Sequence, residues 1–486
     1  MTIDLNRDQK TKLKRLFEQK NYSKFEAFVE KLGNLENLPD FLLMGYAGSK
    51  VLNPNSKKND YLKSAIIFEK IYSKDKSNSE ALYNLILSSL KAEVIEYVLP
   101  HLNDKYKSEK NDKKVIEGLA RVHFLLGNID LSVKFFRELI ELNPISTIDG
   151  GRLTYLACMN YPSGISQKEY FEEASKLGET FEKYSKFKDY QKKDFINKKI
   201  KIGFLSGDLR QHSVNFFLKD VVSKINKNEF HIVALSNLEI NRQHETITGF
   251  YKKHFDDWFD VIDFTDEDLV TLVRSLNLDI LIDLNGFTYG NRVNILAARS
   301  AKVQIGWCGY NNSLGINNMD YIIADKNLIK KNEESLYKEK IITLPNIWNA
   351  MTKPENLPEI NELPYQKNKI FSFGSFNSFK VYENLQRKFV ENDVDLKKII
   401  FLKKSDVNIF LQDYNKIDLA LDTFPYTGVT TSFQSYLMGV PVLSLSGFNL
   451  NSRCGESINK NLGMDEFIAI DHEDYYHKSI SYQNKD

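Results

Sequence analysis

Cysteine is scarce in this chain of 486 residues, where Cys158, Cys308 and Cys454 are the three thiols. They form no close pair, their number is odd and their spacing matches no metal site. A disulfide framework is therefore disfavoured, and three core thiols in a reducing compartment are expected. A charge excess is missing too: 66 Lys+Arg stand against 65 Asp+Glu, which leaves no basic surplus to draw the chain onto nucleic acid or an anionic membrane. No stretch approaches the ~18 apolar residues of a membrane span, and no basic start followed by an apolar run marks a signal peptide. The expectation is a cytoplasmic protein with neither nucleic acid nor membrane as partner. The fingerprint G-x-G-x-x-G is also lacking, since LSGDLRQHS stands where it would follow the opening strand of the α/β region. A dinucleotide-dependent dehydrogenase or epimerase therefore ranks last. Length remains: at ~100–200 residues per domain the chain allows about three domains with ample core.

The first part carries an internal period near the ~34 residues of helical-hairpin repeats. Asn59-Asp60-Tyr61 is followed by Ser64, Phe68 and Asp75-Lys76-Ser77-Asn78, and two periods later Gly127-Asn128 is followed by Ser132, Phe136 and Asn143-Pro144. Small Ser64 and Ser132 let paired helices approach, Phe68 and Phe136 fill the groove, and Pro144 closes the second helix. This resembles tetratricopeptide repeats. A degenerate copy runs from about Ala81 to Lys110 with Pro100 interrupting it, and a weaker one lies near Asn21-Tyr22, so three or four helix pairs are expected over 1–150. Such stacks present a concave face to a protein or peptide, or merely support the next domain. Residues 151–198 read as a helical connector ending in the charged linker KDYQKKDFINKK.

From Lys199 the pattern alternates strand and helix. KIGFLSGD, FHIVALSN, WFDVIDFT, DILIDLNGFT and VQIGWCGY are the strands of a doubly wound sheet over 199–345, with helices between them. Asp208, Asn237, Asp283, Asn285 and Tyr310 emerge on one rim, where open α/β sheets bind substrates. After a polar, Pro-spaced segment a second α/β lobe over 346–486 is expected to have about four strands, with IFSFGSFN and KIIFL (398–402) among them. Its most informative stretch is DLALDTFPYTGVTTSFQSYLMGVPVLSL from Asp418: strand, loop, helix and strand in a parallel crossover. Pro425 and Gly428 shape the loop, and Thr430 and Thr431 open the helix with hydroxyls and unpaired N–H groups, a place for a diphosphate. Alternatively, the threonines merely cap a structural helix. Two Rossmann-like lobes facing one another form the plan of GT-B glycosyltransferases.

The blocks KIGFLSGDLRQHSV, DILIDLNGFTYGNR, AKVQIGWCGYNNSLGINNMDYIIAD, FGSFN with a following lysine, and DLALDTFPYTGVTTS with GVPVLSLSGFNLNSRCGESINKNLG occur in that order. With the repeats and the connector TYLACMNYPSG, they resemble the O-GlcNAc transferase family, notably its bacterial members. The resemblance implies inverting transfer of N-acetylglucosamine, or another hexose, from a UDP-sugar donor to Ser or Thr of a protein or peptide acceptor that the repeats would hold. It implies no metal. It assigns His212, with Asp208 four residues earlier, to proton handling or substrate orientation, and Lys380 to stabilising the departing diphosphate. Thr430, Thr431, Gly428, Gln434, Phe410 and Gly309 fall at donor-binding positions, and Arg292 at a donor or acceptor contact. The bland readings are a solvated turn histidine, a surface lysine, a turn glycine, a core phenylalanine and a solvated helix-start arginine.

The chain departs from the family in several places. A helix and strand of roughly thirty residues are missing before the helix Leu385 to Asn392, which would expose or rearrange a sheet edge. The sequence stops at Asp486, where relatives continue into bracing helices. Gln434 replaces an acidic residue and loses a charge-assisted bond to ribose, Phe410 replaces a histidine near the base, and Asn311 replaces a proline. An active transferase and a repeat scaffold whose lobes have lost their chemistry both fit these residues.

Overall fold

The computed structural model describes residues 5–142, 150–162, 164–184, 190, 199–376, 382–403 and 405–483. The chain divides into two compact units. The first contains α1 (Arg7–Glu18), α2 (Tyr22–Glu30), α3 (Asp40–Leu52), α4 (Lys58–Lys74), α5 (Ser79–Ala92), α6 (Leu99–Ser108), α7 (Lys113–Leu125) and α8 (Ile129–Leu142). The repeat residues serve as their size predicts, and the serines do more. Ser64 and Ser132 are fully buried and donate to the carbonyls of Ala47 and Ala120 on the preceding helices, at 3.0 and 2.8 Å, so each removes its own desolvation penalty while letting the backbones approach. Phe68 and Phe136 are fully buried. Pro100, expected as an interruption, stands instead in the first turn of α6, where an N–H has no intrahelical partner to lose. Asn143, Pro144 and nearly all of the charged linker lie outside the described residues.

The second unit starts with α9 (Gly150–Cys158) and α10 (Gln167–Tyr184) and carries all the described strands. Its first sheet contains β1 (Ile200–Ser206), β2 (Phe230–Ser236), β3 (Asp257–Asp260), β4 (Ile280–Asp283), β5 (Val303–Gly306), β6 (Tyr321–Asp325) and β7 (Lys340–Leu344). They run parallel in the order β3-β2-β1-β4-β5-β6-β7. The helices α11 (Asn215–Lys224), α12 (Thr246–His254), α13 (Asp266–Ser275) and α14 (Val293–Ala297) connect the first five strands. Ile202 pairs with Ile232 on one side and Ile280 on the other, and their side chains join Phe204, Leu218, Val222 and Tyr251 in the core. A strand covered on both faces is apolar almost throughout, which made β1 and β2 legible. β6 and β7 extend the sheet beyond the strands expected.

The second lobe contains α15 (Pro364–Asn368), α17 (Val407–Asp413), α18 (Thr430–Leu437), α19 (Cys454–Leu462) and α20 (His472–Gln483), with strands β8 (Phe373–Gly374), β9 (Leu419–Leu421), β10 (Val442–Leu445) and β11 (Ile468–Ala469), whereas α16 (Tyr382–Glu391) belongs through Lys388 to the first unit. These four are parallel in the order β11-β10-β9-β8. The expected number of strands holds, but its membership does not. KIIFL forms no strand, and Ile400 is 83% exposed; the fourth strand is β11. β8, at the sheet's end, pairs with β9 over two residues, Phe373↔Leu419 and Gly374↔Ala420.

The two lobes share a core. Ile322, Leu328 and Tyr337 of the first, with Trp348 just beyond its last strand, pack with Leu450, Cys454 and Ile458 of the second. Arg453 forks onto Glu333 at 2.5 and 2.9 Å, Ser457 donates to Asp325 at 2.6 Å, and the Leu450 amide donates to the Tyr337 hydroxyl at 3.1 Å. Among the described residues no helix is long and apolar enough to cross a membrane.

Candidate active site

The C-terminal ends of β1 and β4 build the first half of the site. Asp208, two residues past β1, is buried, and its carboxylate accepts from Arg210 Nη2 at 2.8 Å and Asn285 Nδ2 at 3.0 Å. Asn285 returns its side-chain oxygen to the Gly207 amide at 2.8 Å, so the two strand ends are cross-tied. Asp283, the last residue of β4, accepts from the amides of Gly286 at 2.7 Å and Asn285 at 3.3 Å; burial outweighs these bonds and pushes its carboxyl up to about 6. His212 lies in the turn before α11 with Nδ1 3.7 Å from the Asp208 carboxylate. Burial lowers its pKa, Asp208 opposes that, and Arg210 and Arg242 add to it, so the ring is neutral at pH 7. The Gln211 amide donates to Glu245 at 2.7 Å and fixes the turn.

Gly309 and Arg292 have structural explanations. A Cβ on Gly309 would stand 1.8 Å from the Leu284 carbonyl oxygen, so this backbone contact excludes any side chain. Arg292, at the N-terminus of α14, is neither a solvated residue nor aimed at a ligand. Its guanidinium donates to Asp266 at 3.1 Å, Phe264 O at 2.8 Å, Asn237 Oδ1 at 3.3 Å and Val261 O at 3.4 Å. It brackets the turn after β3 to the end of β2 and the start of α13. Tyr310, placed on the rim by sequence, is turned into the connector: its hydroxyl meets those of Tyr170 at 2.6 Å and Asn160 Nδ2 at 3.0 Å.

The second half is the loop from Thr423 to Gly428 and the start of α18. Its organiser is Asp422, which the apolar pattern places inside a strand and which stands just past β9. One carboxylate oxygen accepts the amides of Gly428 at 2.7 Å and Thr423 at 2.9 Å, closing the loop on itself, and the other accepts Ser444 Oγ at 2.9 Å from β10. Burial overrides these bonds and pushes the carboxyl up to about 7. Thr423 Oγ1 donates to the Tyr426 carbonyl and Thr427 Oγ1 to the Asn451 carbonyl, both at 2.7 Å. Gly428 sits where a Cβ would come within 2.5 Å of Thr431 Oγ1. Thr430 and Thr431 are half-buried at the first turn of α18, whose amides have no intrahelical acceptor and carry the positive end of the helix dipole. An anion fits such a place.

The remaining donor positions fare unequally. Gln434, one turn on, is buried. Phe410 packs edge-on against Phe376 and Tyr414, with centroids 5.5 and 5.7 Å apart, as part of the second lobe's core rather than a free stacking platform. Lys380 lies outside the described residues. Two aromatic contacts join the halves: Phe217 of α11 meets Phe433 of α18 edge-on at 5.5 Å, and Tyr161 of the connector stacks on Tyr426 at 4.5 Å. The turn carrying His212 and the helix opened by Thr430 are thus held in one neighbourhood. Asn285, placed on the rim by sequence, ties two strand ends together, whereas Asp422 is the organiser that sequence reasoning missed. The available signal was an acid just past the end of a strand, immediately before a turn containing Pro and Gly.

Comparison with known proteins agrees with this geometry. The family model of glycosyl transferase family 41 matches residues 176–362 and 368–486. Over 369 residues the chain is 25% identical to a probable UDP-N-acetylglucosamine–peptide N-acetylglucosaminyltransferase, SPINDLY, of Solanum lycopersicum, an alignment of 67% of this chain and 39% of that protein. With the SPINDLY protein of Hordeum vulgare the identity is 26% over 361 residues, 66% and 38% of the two chains. The chain thus spans about two fifths of the length of these curated relatives. A solved point mutant of the O-GlcNAc transferase of Thermobaculum terrenum superposes with a TM-score of 0.79 at 22% identity, covering 92% of this chain and 90% of the other, which is a likeness of fold. With the greater part of its length matched by the family model and both lobes in place, the chain belongs to glycosyl transferase family 41.

Proposed function

We propose that the chain is an inverting protein glycosyltransferase that moves N-acetylglucosamine from a UDP-sugar to a Ser or Thr hydroxyl of a protein acceptor. The observation that carries the reading is the loop braced by Asp422, which delivers the hydroxyls and free amides of Thr430 and Thr431 at a helix start. In the reaction the acceptor oxygen bonds to the anomeric carbon, the bond from that carbon to the diphosphate breaks, and the hydroxyl proton passes to a base. The helix start, with Lys380 as the cation that the family resemblance implies, would stabilise the departing UDP without a metal. Among the described residues no His, Cys, Asp or Glu cluster is arranged to hold a metal ion. His212 is neutral and so able to accept the proton, and the Asp208 carboxylate 3.7 Å from Nδ1 would favour the charge that forms. Gly428 and Gly309 shape the donor side, while Gln434 and Phe410 would act from within the fold. The helical repeats would hold the acceptor, and a cytoplasmic location belongs to the same reading.

A second reading, a repeat scaffold without transfer chemistry, draws on the buried Gln434 and the core position of Phe410, which leave ribose and base with fewer partners. Calorimetry with UDP, together with labelled UDP-N-acetylglucosamine and candidate peptides, separates the two. The transferase should bind UDP and label a peptide or hydrolyse the donor, and Thr431→Ala should weaken UDP binding about tenfold or more through loss of a charge-assisted bond. UDP binding without transfer or hydrolysis supports the scaffold, and no UDP binding by folded protein overturns the donor site itself.

A further inference from the structure

We propose that Tyr161, in the turn between α9 and α10, is a positioning residue for the donor loop, acting through its ring stack on Tyr426. The proposal rests on the reading that the start of α18 holds the donor diphosphate. Tyr161 and Tyr426 lie nearly parallel, with centroids 4.5 Å apart and planes inclined by 10°. The two sides of this stack are anchored differently. On the connector side, the neighbouring Asn160 is buried and doubly tied to the first lobe: Nδ2 donates to the Tyr310 hydroxyl at 3.0 Å, and Oδ1 accepts from Asn312 Nδ2 at 2.8 Å. Tyr170, fully buried, donates to the Ser313 carbonyl at 2.9 Å and fixes α10 to the same loop. Tyr161 therefore projects from a rigid base.

On the other side stands a short loop. Tyr426 is 38% exposed, its carbonyl accepts from Thr423 Oγ1, and two residues later the Gly428 amide is held by Asp422. Asp422 fixes the two ends of the loop, and the ring of Tyr161 fixes its tip. The donor cradle is thereby referenced to the connector and, through it, to the first-lobe rim that carries His212. Loss of the stack should loosen the cradle without removing any group that touches the donor. An aromatic pair of this kind corresponds to roughly a two- to tenfold change in an equilibrium constant.

The test uses the full chain and measures UDP affinity by calorimetry, with kcat and KM for the UDP-sugar measured alongside. Tyr161→Ala should weaken UDP binding roughly two- to tenfold and raise KM with kcat nearly unchanged, whereas Tyr161→Phe, which keeps the ring, should behave like the parent. Tyr426→Ala should match Tyr161→Ala, and the double substitution should be no worse than either alone, since both remove one contact. Unchanged affinity in folded Tyr161→Ala, or additive losses in the double variant, overturns the proposal while the donor site stands. If Tyr161→Ala does not fold, Tyr426→Ala decides by the same affinity criterion. A parent protein that binds no UDP overturns the donor reading and this proposal with it.

Discussion

Asp422→Asn separates the charge of the loop's organiser from its shape. In the unfolded chain the carboxyl loses its proton near 3.8, and in the folded one near 7, because burial raises it. Between those values the folded state holds more protons than the unfolded state, so this group's contribution is fully present below pH 4 and is lost as the pH rises towards 7. Three pH units at 1.36 kcal/mol each make the change about 4 kcal/mol. Asparagine keeps an oxygen for the amides of Gly428 and Thr423, offers an N–H to Ser444 Oγ and cannot ionise. Urea unfolding followed by tryptophan fluorescence suits the measurement, since Trp258, Trp307 and Trp348 all belong to the second unit. The expected result is a stability difference between parent and variant that shifts by about 4 kcal/mol in the variant's favour from pH 4 to pH 7. Asp283 titrates with the same sign but is common to both proteins and cancels. A difference that stays constant over that range would show an ordinary carboxyl and refute the account of the loop.

Two further outcomes follow from the site. Arg292→Ala removes a guanidinium with four acceptors, one of them charged, and should lower stability by about 2–3 kcal/mol while leaving KM for the donor unchanged; a raised KM at unchanged stability would restore the ligand contact expected from sequence. His212→Gln should reduce kcat about 10²–10⁴-fold with the fold intact. In the parent, the acid limb of kcat/KM should have its midpoint below 6.5, because burial lowers the ring's pKa from that value. A midpoint above 6.5 would contradict this placement of the ring.

The parts of the fold legible in the sequence were those that composition alone creates. FHIVAL and KIGFLS are covered on both faces and so read as strands wherever they are placed. KIIFL has the same composition, yet Ile400 stands in solvent, because a strand is completed by its neighbour and the resemblance itself said that an adjoining helix and strand were missing. The repeats were legible through size: serine and phenylalanine at matching positions dictate which faces can approach. The start of α18 at Thr430 was legible from the Gly428 turn before it, although Val429 is its N-cap and no side chain caps the helix. The partners of Arg292 and Tyr310 were not legible, since a polar side chain at a strand end can point to a ligand or to another loop. Asp422 was hidden for a related reason: an aspartate ending a strand looks the same whether it is solvated or folded under the following turn.

The common core of the lobes has a consequence for how substrates enter. Swinging the halves apart like a clamshell would tear Trp348 and Tyr337 from Leu450 and Ile458 and strand the Arg453 and Glu333 charges. Access to the cleft must therefore come from small displacements of surface segments about a stiff hub. For the same reason, neither half should survive as an autonomous fragment if the polypeptide were cut between them.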